Sequence, residues 1–303
     1  MLRKLLLALL VTALLSACQG ASTQQSPGDR LRVVATYSVL GDLTQHVGGD
    51  KIALRTLVGP DGDAHTFEPS PADAAALADA QLVFENGLEF ETWLDKLYEA
   101  SRSTAPRVVV TEGIAPRTLI EDGREEPDPH VWHDVTLAMQ MTRNVRDALS
   151  TADPANAATY SANAEAYLSD LQALDLWAVM QVQTIPNNRR KLVTSHDALG
   201  YFAARYGFQI VGAALPSFST EVAEPSAAEL AKLASGIRAV GVPAIFAENV
   251  HNPQLVERLA TEAGVVVAPP LYTDALGKPG SEGDTYVKMV RWNVSTIAGA
   301  LAR

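Results

Sequence analysis

The long segment from Asp153 to Thr184 contains no glycine and, after Pro154, no proline. Asp153 is placed to cap a helix, and Pro154 at the first helical position has the fixed backbone angle that suits it. A helix of about 30 residues is about 45 Å long, which is longer than one small domain needs for its own packing. The segment therefore predicts a rod that joins two separate bodies, and the crowding of apolar residues near Leu176 leaves a break in this rod open.

A stripe of large apolar residues recurs along the predicted rod at helical spacing: Leu171, Leu174, Trp177 and Met180. Such a stripe is typical of the face that a helix turns toward a core. We therefore expect these side chains to make core contacts.

Short β-rich runs alternate with helical segments on both sides of this rod. The first set of predicted strands is 31–36, 52–58, 81–85 and 107–111, and the second set is 191–194, 209–213, 244–248 and 264–268. Segments of helical composition lie between them, at 71–80, 227–238 and 253–263. This alternation predicts βαβ units and a mostly parallel sheet in each set.

The predicted fold class is therefore α/β, with two lobes, each a mostly parallel sheet flanked by helices, joined by one long helix. The predicted boundaries are an N-terminal lobe over 31–150, a linking helix over 151–187 and a C-terminal lobe over 188–303. A hydrophobic content of 47% is ample for the cores of such lobes.

The first residues are typical of an export signal. Arg3 and Lys4 form a short basic stretch, and residues 5–15 form an apolar run that is too short to span a bilayer comfortably. The sequence Leu-Ser-Ala-Cys that ends at Cys18 resembles the lipobox of bacterial lipoproteins, in which the cysteine is lipidated. We predict a lipoprotein signal peptide over 1–17 and a lipid on Cys18; an ordinary signal peptide beside a free thiol is the alternative.

The stretch after Cys18 is rich in Ser, Gln, Gly and Pro, which predicts a flexible tether over 18–30. About twelve such residues reach on the order of 20 Å, enough to hold a globular body just off a membrane. The predicted location is therefore extracytoplasmic and membrane-anchored, at the cell surface or in the periplasm. Because Cys18 is the only cysteine, a lipid on it leaves no thiol for a disulfide or a thiolate metal site.

The formal net charge of −11 argues against a nucleic-acid partner, because nucleic-acid phosphates require a basic face. The same charge is compatible with a cationic ligand without proving one.

Three of the six histidines lie in stretches that should hold the backbone still. His65 lies between an acidic, glycine-containing turn and two prolines, and His130 directly follows a proline. His196 follows one apolar strand, and Asp274 follows the run Pro-Pro-Leu-Tyr. Ligands in open α/β sheets gather outside the carboxyl ends of strands, where all four side chains are expected. Each histidine alone has a structural explanation, but together the four residues predict a site for a transition metal.

Several motifs resemble those of the metal-binding solute-binding lipoproteins of zinc and manganese ABC transporters, the cluster A-I or adhesin-like family. The motifs are Asp63-Ala-His-Thr-Phe-Glu-Pro-Ser70, Asp128-Pro-His-Val-Trp132, Thr194-Ser-His-Asp-Ala-Leu-Gly-Tyr-Phe202, Phe246-Ala-Glu-Asn249, Leu271-Tyr-Thr-Asp274 and Gly283-Asp-Thr-Tyr286. They follow the family's order and cover nearly everything after the tether. The resemblance implies two α/β lobes with a metal ion in the cleft between them, and it implies His65, His130, His196 and Asp274 as ligands.

The third ligand position bears on the choice of metal. The manganese-preferring members of the family have Ser-Glu where this chain has Ser195 and His196. Imidazole nitrogen suits zinc, whereas carboxylate oxygen serves manganese better, so we predict Zn2+ with Mn2+ as the alternative.

The chain departs from the family pattern in two places. Segment 112–127 contains acids and no histidine, whereas many zinc-binding relatives have a long His-rich loop there. Ala64 stands where relatives often have proline, which predicts a slightly less rigid loop before His65.

Other polar residues near the motifs have less certain roles. Three acids are candidates for hydrogen bonds that orient the ligand imidazoles: Glu248, Asp128 and Asp197. Glu248 could instead be an alternative carboxylate ligand. His133 could join the metal if its segment were helical, although Pro129 favours a turn. Two further histidines are expected at the surface or in packing positions: His46 and His251.

The predicted function is high-affinity capture of zinc outside the cytoplasmic membrane and its delivery to the permease of an ABC importer by a monomeric protein that is not an enzyme. A manganese-binding member of the same family is the nearest alternative. A zinc hydrolase would need an open coordination position and a general base, and the sequence has neither a His-Glu-x-x-His motif nor a Gly-x-Ser-x-Gly turn. An adhesin or interaction lipoprotein with a structural metal is a further alternative.

Overall fold

The computed structural model describes residues 30–121, 124–250 and 252–302. The predicted signal peptide, Cys18 with most of the tether, and His251 lie outside these ranges. Within them, no helix has the length and the apolar character that a membrane span requires. The described elements belong to a compact unit that begins at Leu31.

A parallel sheet forms the N-terminal lobe. Its strands are β1 (Leu31–Tyr37), β2 (Ile52–Val58), β3 (Leu82–Glu85) and β4 (Arg107–Val109), in the order β2-β1-β3-β4. All the pairings are parallel. Every residue of β1 except Arg32 is buried, as expected for a central strand that is covered on both faces. The helices beside this sheet are α1 (Ser38–Gly48), α2 (Pro71–Asp79) and α3 (Leu94–Ser101).

An antiparallel hairpin of β5 (Thr118–Glu121) and β6 (Arg124–Pro127) lies in the acidic segment before His130. A 3-10 turn over Val131–His133 and then α4 (Val135–Ala152) follow it. Asp134 caps α4, because its Oδ1 accepts a hydrogen bond from the Thr136 N–H at 2.8 Å.

The predicted rod is the helix α5 (Ala157–Val182), which is about 39 Å long at 1.5 Å per residue. It continues through Leu176 without a break. A separate 3-10 turn over Pro154–Asn156 precedes it, so Pro154 begins this turn and not the helix itself. The carboxylate of Asp153 accepts hydrogen bonds from the Asn156 amide and the Tyr160 hydroxyl, both at 2.7 Å.

The apolar stripe of α5 was predicted only in part. Leu171 and Leu174 are fully buried, but the Met180 side chain is 58% exposed, so its predicted core contact is wrong. The reason is geometric: a spacing of three residues falls short of a full turn, so nine residues of helix rotate a side chain to the opposite face. The buried stripe instead continues from Leu174 through Ala178 to Val182.

The C-terminal lobe is built from two pairs of parallel strands. The first pair is β7 (Lys191–His196) with β8 (Gln209–Leu215), and the second is β9 (Ala244–Glu248) with β10 (Val266–Leu271). β7 lies beside β9. The helices are α6 (Gly200–Tyr206), α7 (Ala227–Val240), α8 (Gln254–Ala263) and α9 (Tyr286–Leu301). This arrangement confirms the predicted α/β class with parallel sheets flanked by helices, whereas the lobe boundaries at 31–150 and 188–303 stay a prediction.

One apolar core runs through the N-terminal lobe and α5 and into the C-terminal lobe. It includes Val33 of β1, Leu174 of α5, Phe246 of β9 and Tyr286 of α9. A second core lies within the C-terminal lobe, between its strands and α7 and α8. The two lobes therefore share packed apolar contacts and are not joined by α5 alone.

The long helix gives a matched pair of stability tests. Leu174→Ala should lower the free energy of unfolding by about 2–5 kcal/mol, because it removes a fully buried side chain and leaves a cavity. Leu176→Ala, two residues away and 58% exposed, should change it by less than about 0.5 kcal/mol. Urea titration of both variants measures the difference. Equal losses would contradict the orientation of α5.

Candidate metal centre

The predicted ligand side chains, which lie far apart in the sequence, converge on one point between the two lobes. His65 lies in the loop between β2 and α2, and His130 directly precedes the 3-10 turn before α4. His196 is the last residue of β7, and Asp274 follows β10. Thus each lobe contributes two of the four side chains; three of them follow or end a parallel strand, whereas His130 follows the antiparallel hairpin.

The ligand atoms lie close to one another. His130 Nε2 is 3.4 Å from His65 Nε2 and 3.3 Å from His196 Nε2. Asp274 Oδ2 is 3.3 Å from His196 Nε2 and 3.6 Å from His65 Nε2, while its Oδ1 is 3.5 Å from His130 Nε2. One atom of each residue lies within 4.8 Å of the other three.

The five separations given above are close to the edge of a coordination tetrahedron, with Asp274 contributing Oδ2 to two of them and Oδ1 to one. Zinc binds imidazole nitrogen at about 2.0–2.1 Å, so two ligands at the tetrahedral angle are about 3.3–3.4 Å apart. The measured separations of 3.3 to 3.6 Å are at or slightly above that value. One divalent ion therefore fits among the four groups with small side-chain adjustments.

Carboxylates orient two of the imidazoles. Asp128 Oδ1 lies 2.9 Å from His130 Nδ1, and Glu248 Oε2 lies 2.6 Å from His196 Nδ1. An ionised carboxylate can only accept, so in the neutral imidazole this contact favours the proton on Nδ1 and leaves the Nε2 lone pair for the centre. This is the tautomer that binds a metal through Nε2.

Glu248 joins several parts of the C-terminal lobe. Its Oε1 accepts hydrogen bonds from the backbone N–H groups of Ser195 (2.8 Å) and His196 (3.0 Å), and its Oε2 accepts one from the Thr273 hydroxyl (2.9 Å). Glu248 therefore fixes the end of β7 and the residue before Asp274. These contacts suit the orienting role considered for Glu248, and the group of mutually close ligand atoms does not include its carboxylate.

The loop before His65 is held by its own contacts. The Trp93 indole N–H donates to the carbonyl of the buried Ala64 at 2.7 Å, and the His65 N–H donates to Asp63 Oδ1 at 2.8 Å. The Phe90 ring packs edge-on against the His65 ring, with 4.7 Å between centroids. Packing and hydrogen bonds thus restrain the loop although Ala64 replaces the more usual proline.

Asp274 is the most unusual group of the site. It is fully buried, and among the described residues neither of its oxygens accepts a conventional hydrogen bond. Although burial opposes ionisation, the neighbouring imidazoles, His196 foremost, hold the pKa of Asp274 well below its usual range. A buried carboxylate that faces three ring nitrogens has the environment of an anionic metal ligand.

The two central histidines differ in proton affinity. Complete burial lowers the pKa of His130 well below its usual range. Burial also lowers the pKa of His196, but the carboxylates of Glu248 and Asp274 outweigh it and hold that pKa well above its usual range. His196 is therefore the imidazole at which a proton competes most strongly with a metal.

The remaining sequence candidates lie around the centre. His133 is buried and lies outside the convergent group, and burial lowers its pKa to about 4. Asp197 donates its backbone N–H to the Ser217 carbonyl (3.0 Å), and within the described ranges its carboxylate makes no hydrogen bond to a ring nitrogen. His46 is a half-exposed residue that stacks on Tyr167 with 4.0 Å between ring centroids.

Sequence reasoning missed the role of Asp63. The chain contains the pattern Asp-x-His twice, at Asp63 to His65 and at Asp128 to His130. In both copies the Asp Oδ1 accepts a hydrogen bond from the backbone N–H of the histidine, at 2.8 and 3.0 Å. Asp side chains commonly bind the backbone two residues on, so the repeated pattern was the signal that could have found this role.

Asn86 was also missed. It follows β3, and its side-chain amide donates to the carbonyl of Pro129 at 3.0 Å, directly before His130. The Tyr37 hydroxyl donates to Asn86 Oδ1 at 3.0 Å. Asn86 therefore ties the end of the N-terminal sheet to the second ligand.

Comparisons with known proteins also indicate a metal-binding protein. The family model described as zinc-uptake complex component A, periplasmic (ZnuA), matches residues 33–300. The manganese-binding lipoprotein MntA of Halalkalibacterium halodurans is 36% identical over 298 residues, 97% of each chain. The iron ABC transporter substrate-binding lipoprotein MtsA of Streptococcus pyogenes serotype M1 is 31% identical over 305 residues, 98% of this chain and 97% of that protein.

Solved structures share the whole fold. The periplasmic zinc binding protein TroA from Treponema pallidum has a TM-score of 0.83 and 32% identity, over 90% of this chain and 100% of that chain. The Mn-bound periplasmic metal binding protein from Candidatus Liberibacter asiaticus has a TM-score of 0.80 and 28% identity at the same coverage.

The two-lobe fold and its enclosed site are those of an extracytoplasmic substrate-binding protein of a metal ABC transporter. The chain belongs to the ZnuA family of these proteins, the cluster A-I family named from its motifs. Because the family consists of substrate-binding proteins, this chain is a binding protein and not an enzyme. The names of its relatives include zinc, manganese and iron, so family membership identifies a metal ion as substrate without selecting one.

The contact between Glu248 and His196 can be tested directly. Glu248→Gln should weaken metal binding about 10- to 100-fold, because a neutral amide holds the Nδ1–H less firmly and makes Nε2 less basic. Competition with a chromophoric chelator measures the Kd. The matched control is Glu257→Gln, an exposed glutamate on α8, which should keep the wild-type Kd. Equal affinity in Glu248→Gln and wild type would contradict the orienting role.

Proposed function

We propose that this protein binds Zn2+ outside the cytoplasmic membrane through His65, His130, His196 and Asp274 and delivers it to the permease of an ABC importer. The observation that carries the proposal is the approach of the His65 and His196 Nε2 atoms to His130 Nε2, at 3.4 and 3.3 Å, and of the buried Asp274 carboxylate to all three nitrogens, at 3.3 to 3.6 Å. Without a metal ion, only a proton on an imidazole such as that of His196 would balance the Asp274 charge in a site that water barely reaches.

The donor set favours zinc. Three imidazole nitrogens and one carboxylate oxygen suit a metal of borderline softness, and the Irving–Williams order gives zinc a higher affinity than manganese at nitrogen-rich sites. Tetrahedral edges of about 3.3–3.4 Å, expected for zinc, also agree with the measured separations.

Manganese is the second candidate because the relatives MntA and PsaA carry manganese in their names. Manganese takes more ligands than zinc and prefers oxygen, so it would draw on both oxygens of Asp274. Neither oxygen accepts a conventional hydrogen bond among the described residues, which leaves both available for that mode.

The site is suited to the binding and release of a metal ion. Four protein ligands fill a zinc tetrahedron and leave no position for an activated water. Release then requires the ligands of one lobe to move away from those of the other, because loss of either pair removes most of the binding energy. The permease would drive this separation.

The proposal includes attachment at the membrane. A lipid on Cys18 and a tether over 18–30 would keep a monomeric binding body beside its permease. Support comes from the lipobox-like sequence at Cys18 and from relatives whose names include the word lipoprotein.

Metal competition tests the proposed substrate. In calorimetry on the metal-free protein, zinc should displace manganese, whereas His196→Glu should shift the preference toward manganese because a carboxylate oxygen replaces a nitrogen. His46→Glu, at a half-exposed position remote from the ligands, is the matched control and should keep the wild-type ranking. Failure of either metal to bind the wild type would refute the function, and an unchanged ranking in His196→Glu would refute the donor-set argument.

The affinity should also depend on pH. A metal needs a deprotonated Nε2, and His196 holds a proton to a higher pH than an ordinary histidine. Binding should therefore weaken as the pH falls through the His196 pKa, by about one log unit per pH unit while one proton is displaced. Measurement of the Kd at intervals from pH 8 downward gives the slope. A flat profile across the histidine range would argue against imidazole ligation.

A further inference from the structure

The Asp63 carboxylate makes contacts with both lobes. Its Oδ1 accepts the backbone N–H of His65 at 2.8 Å, within the N-terminal lobe. Its Oδ2 accepts the hydroxyl of Thr220 at 2.7 Å, from the loop between β8 and α7 of the C-terminal lobe. One carboxylate therefore connects the backbone of a proposed metal ligand directly to the opposite lobe.

The loop that carries Thr220 also forms a wall of the route to the metal centre. A cavity of about 420 Å³ is lined on this side by Ser217, Phe218, Ser219 and Val222 and on the other side by residues that include Leu88, Glu126 and Pro129. His65 lines the same cavity and is 6% exposed, whereas the other three ligands are 0% exposed. The cavity thus reaches the centre at His65, beside the Asp63–Thr220 contact.

A second contact between the lobes holds the other end of the His65 loop. The Asn249 amide donates to Asp61 Oδ1 at 2.9 Å, and the Asp61 N–H donates to the Leu276 carbonyl at 2.8 Å. Asp61, at the start of the loop that leads to His65, is thereby fixed to the C-terminal lobe. Loss of the Thr220 contact would free only the end of the loop that bears the ligand.

We propose that the hydrogen bond from Thr220 to Asp63 is a latch that slows metal release, and that Thr220 is a positioning residue for His65. The inference rests on the proposed function and adds a residue that controls the rate at which the metal leaves. When the latch is closed, Asp63 holds the His65 backbone and the Thr220 loop together. When it opens, the cavity wall and the ligand separate in the same movement. The latch is a polar contact, and neither Asp63 nor Thr220 belongs to the shared apolar core.

Release kinetics test the latch. Zinc-loaded protein is mixed with an excess of chelator, and the release rate is followed by stopped flow. Thr220→Val, which keeps the side-chain shape but removes the hydroxyl, should release zinc about tenfold faster, because a hydrogen bond to a charged acceptor is lost. Thr220→Ser, which keeps the hydroxyl, should restore slow release. Thr261→Val, which loses a hydroxyl on α8 that donates to the Glu257 carbonyl, is the matched control and should release at the wild-type rate.

A double-mutant cycle separates the latch from a general loss of stability. In an Asp63→Ala background, Thr220→Val should cause no further acceleration, because the acceptor is already absent. Additive effects in the cycle, or equally fast release from Thr220→Ser and Thr220→Val, would overturn the latch. A wild-type protein that binds zinc tightly while Thr220→Val releases it at the wild-type rate would also overturn the latch and leave the proposed function intact. A wild-type protein that binds neither zinc nor manganese would refute both.

Discussion

A buried negative charge that faces ring nitrogens is the constraint on which the rest of this structure depends. Asp274 has no exposed surface, and the imidazoles of His196, His130 and His65 are the groups that stabilise its charge. A buried charge of this kind costs several kcal/mol unless a cation or a positive neighbour balances it. Glu248 adds a further carboxylate behind the His196 imidazole, whereas burial raises the pKa of Asp128, behind His130, to about 7. The pocket is therefore much better suited to a divalent ion than to a neutral molecule.

The fold supplies this centre at little cost to its own packing. The proposed ligands sit at strand ends and in loops, so they leave the apolar cores of the two lobes uninterrupted. The core that spans both lobes through α5 keeps their relative position within narrow limits. Polar contacts of the cleft, such as the hydrogen bond from Thr220 to Asp63, involve residues outside this core. Apolar packing and polar contacts between the lobes are thus divided between different parts of the molecule.

Much of the architecture could be predicted because its signals are local. Strands 52–58 and 244–248 have the predicted limits, and in 244–248 an apolar run marks a fully buried parallel strand. The stripe on α5 failed at Met180 because a three-residue spacing drifts around a helix, and only the register against neighbouring helices determines which face is buried. The convergence of the four ligands followed from strand ends and from family resemblance. The contact between Asp63 and Thr220 joins residues that lie 157 positions apart in loops. No local sequence pattern predicts such a pair.

The way in which the site is closed indicates that the metal is a transported substrate and not a permanent cofactor. A structural metal is best enclosed by groups that never need to separate, as when all its ligands come from one rigid core. Here the proposed ligands come from two lobes, and the loop before His65 is held to the opposite lobe by a few hydrogen bonds, at Asp61 and Asp63. Tight metal coordination is therefore combined with weak contacts between the two lobes at the edge of the site. That combination suits an ion that must be bound tightly and later released. A partner needs to disrupt only a few polar contacts before the coordination shell loses a ligand.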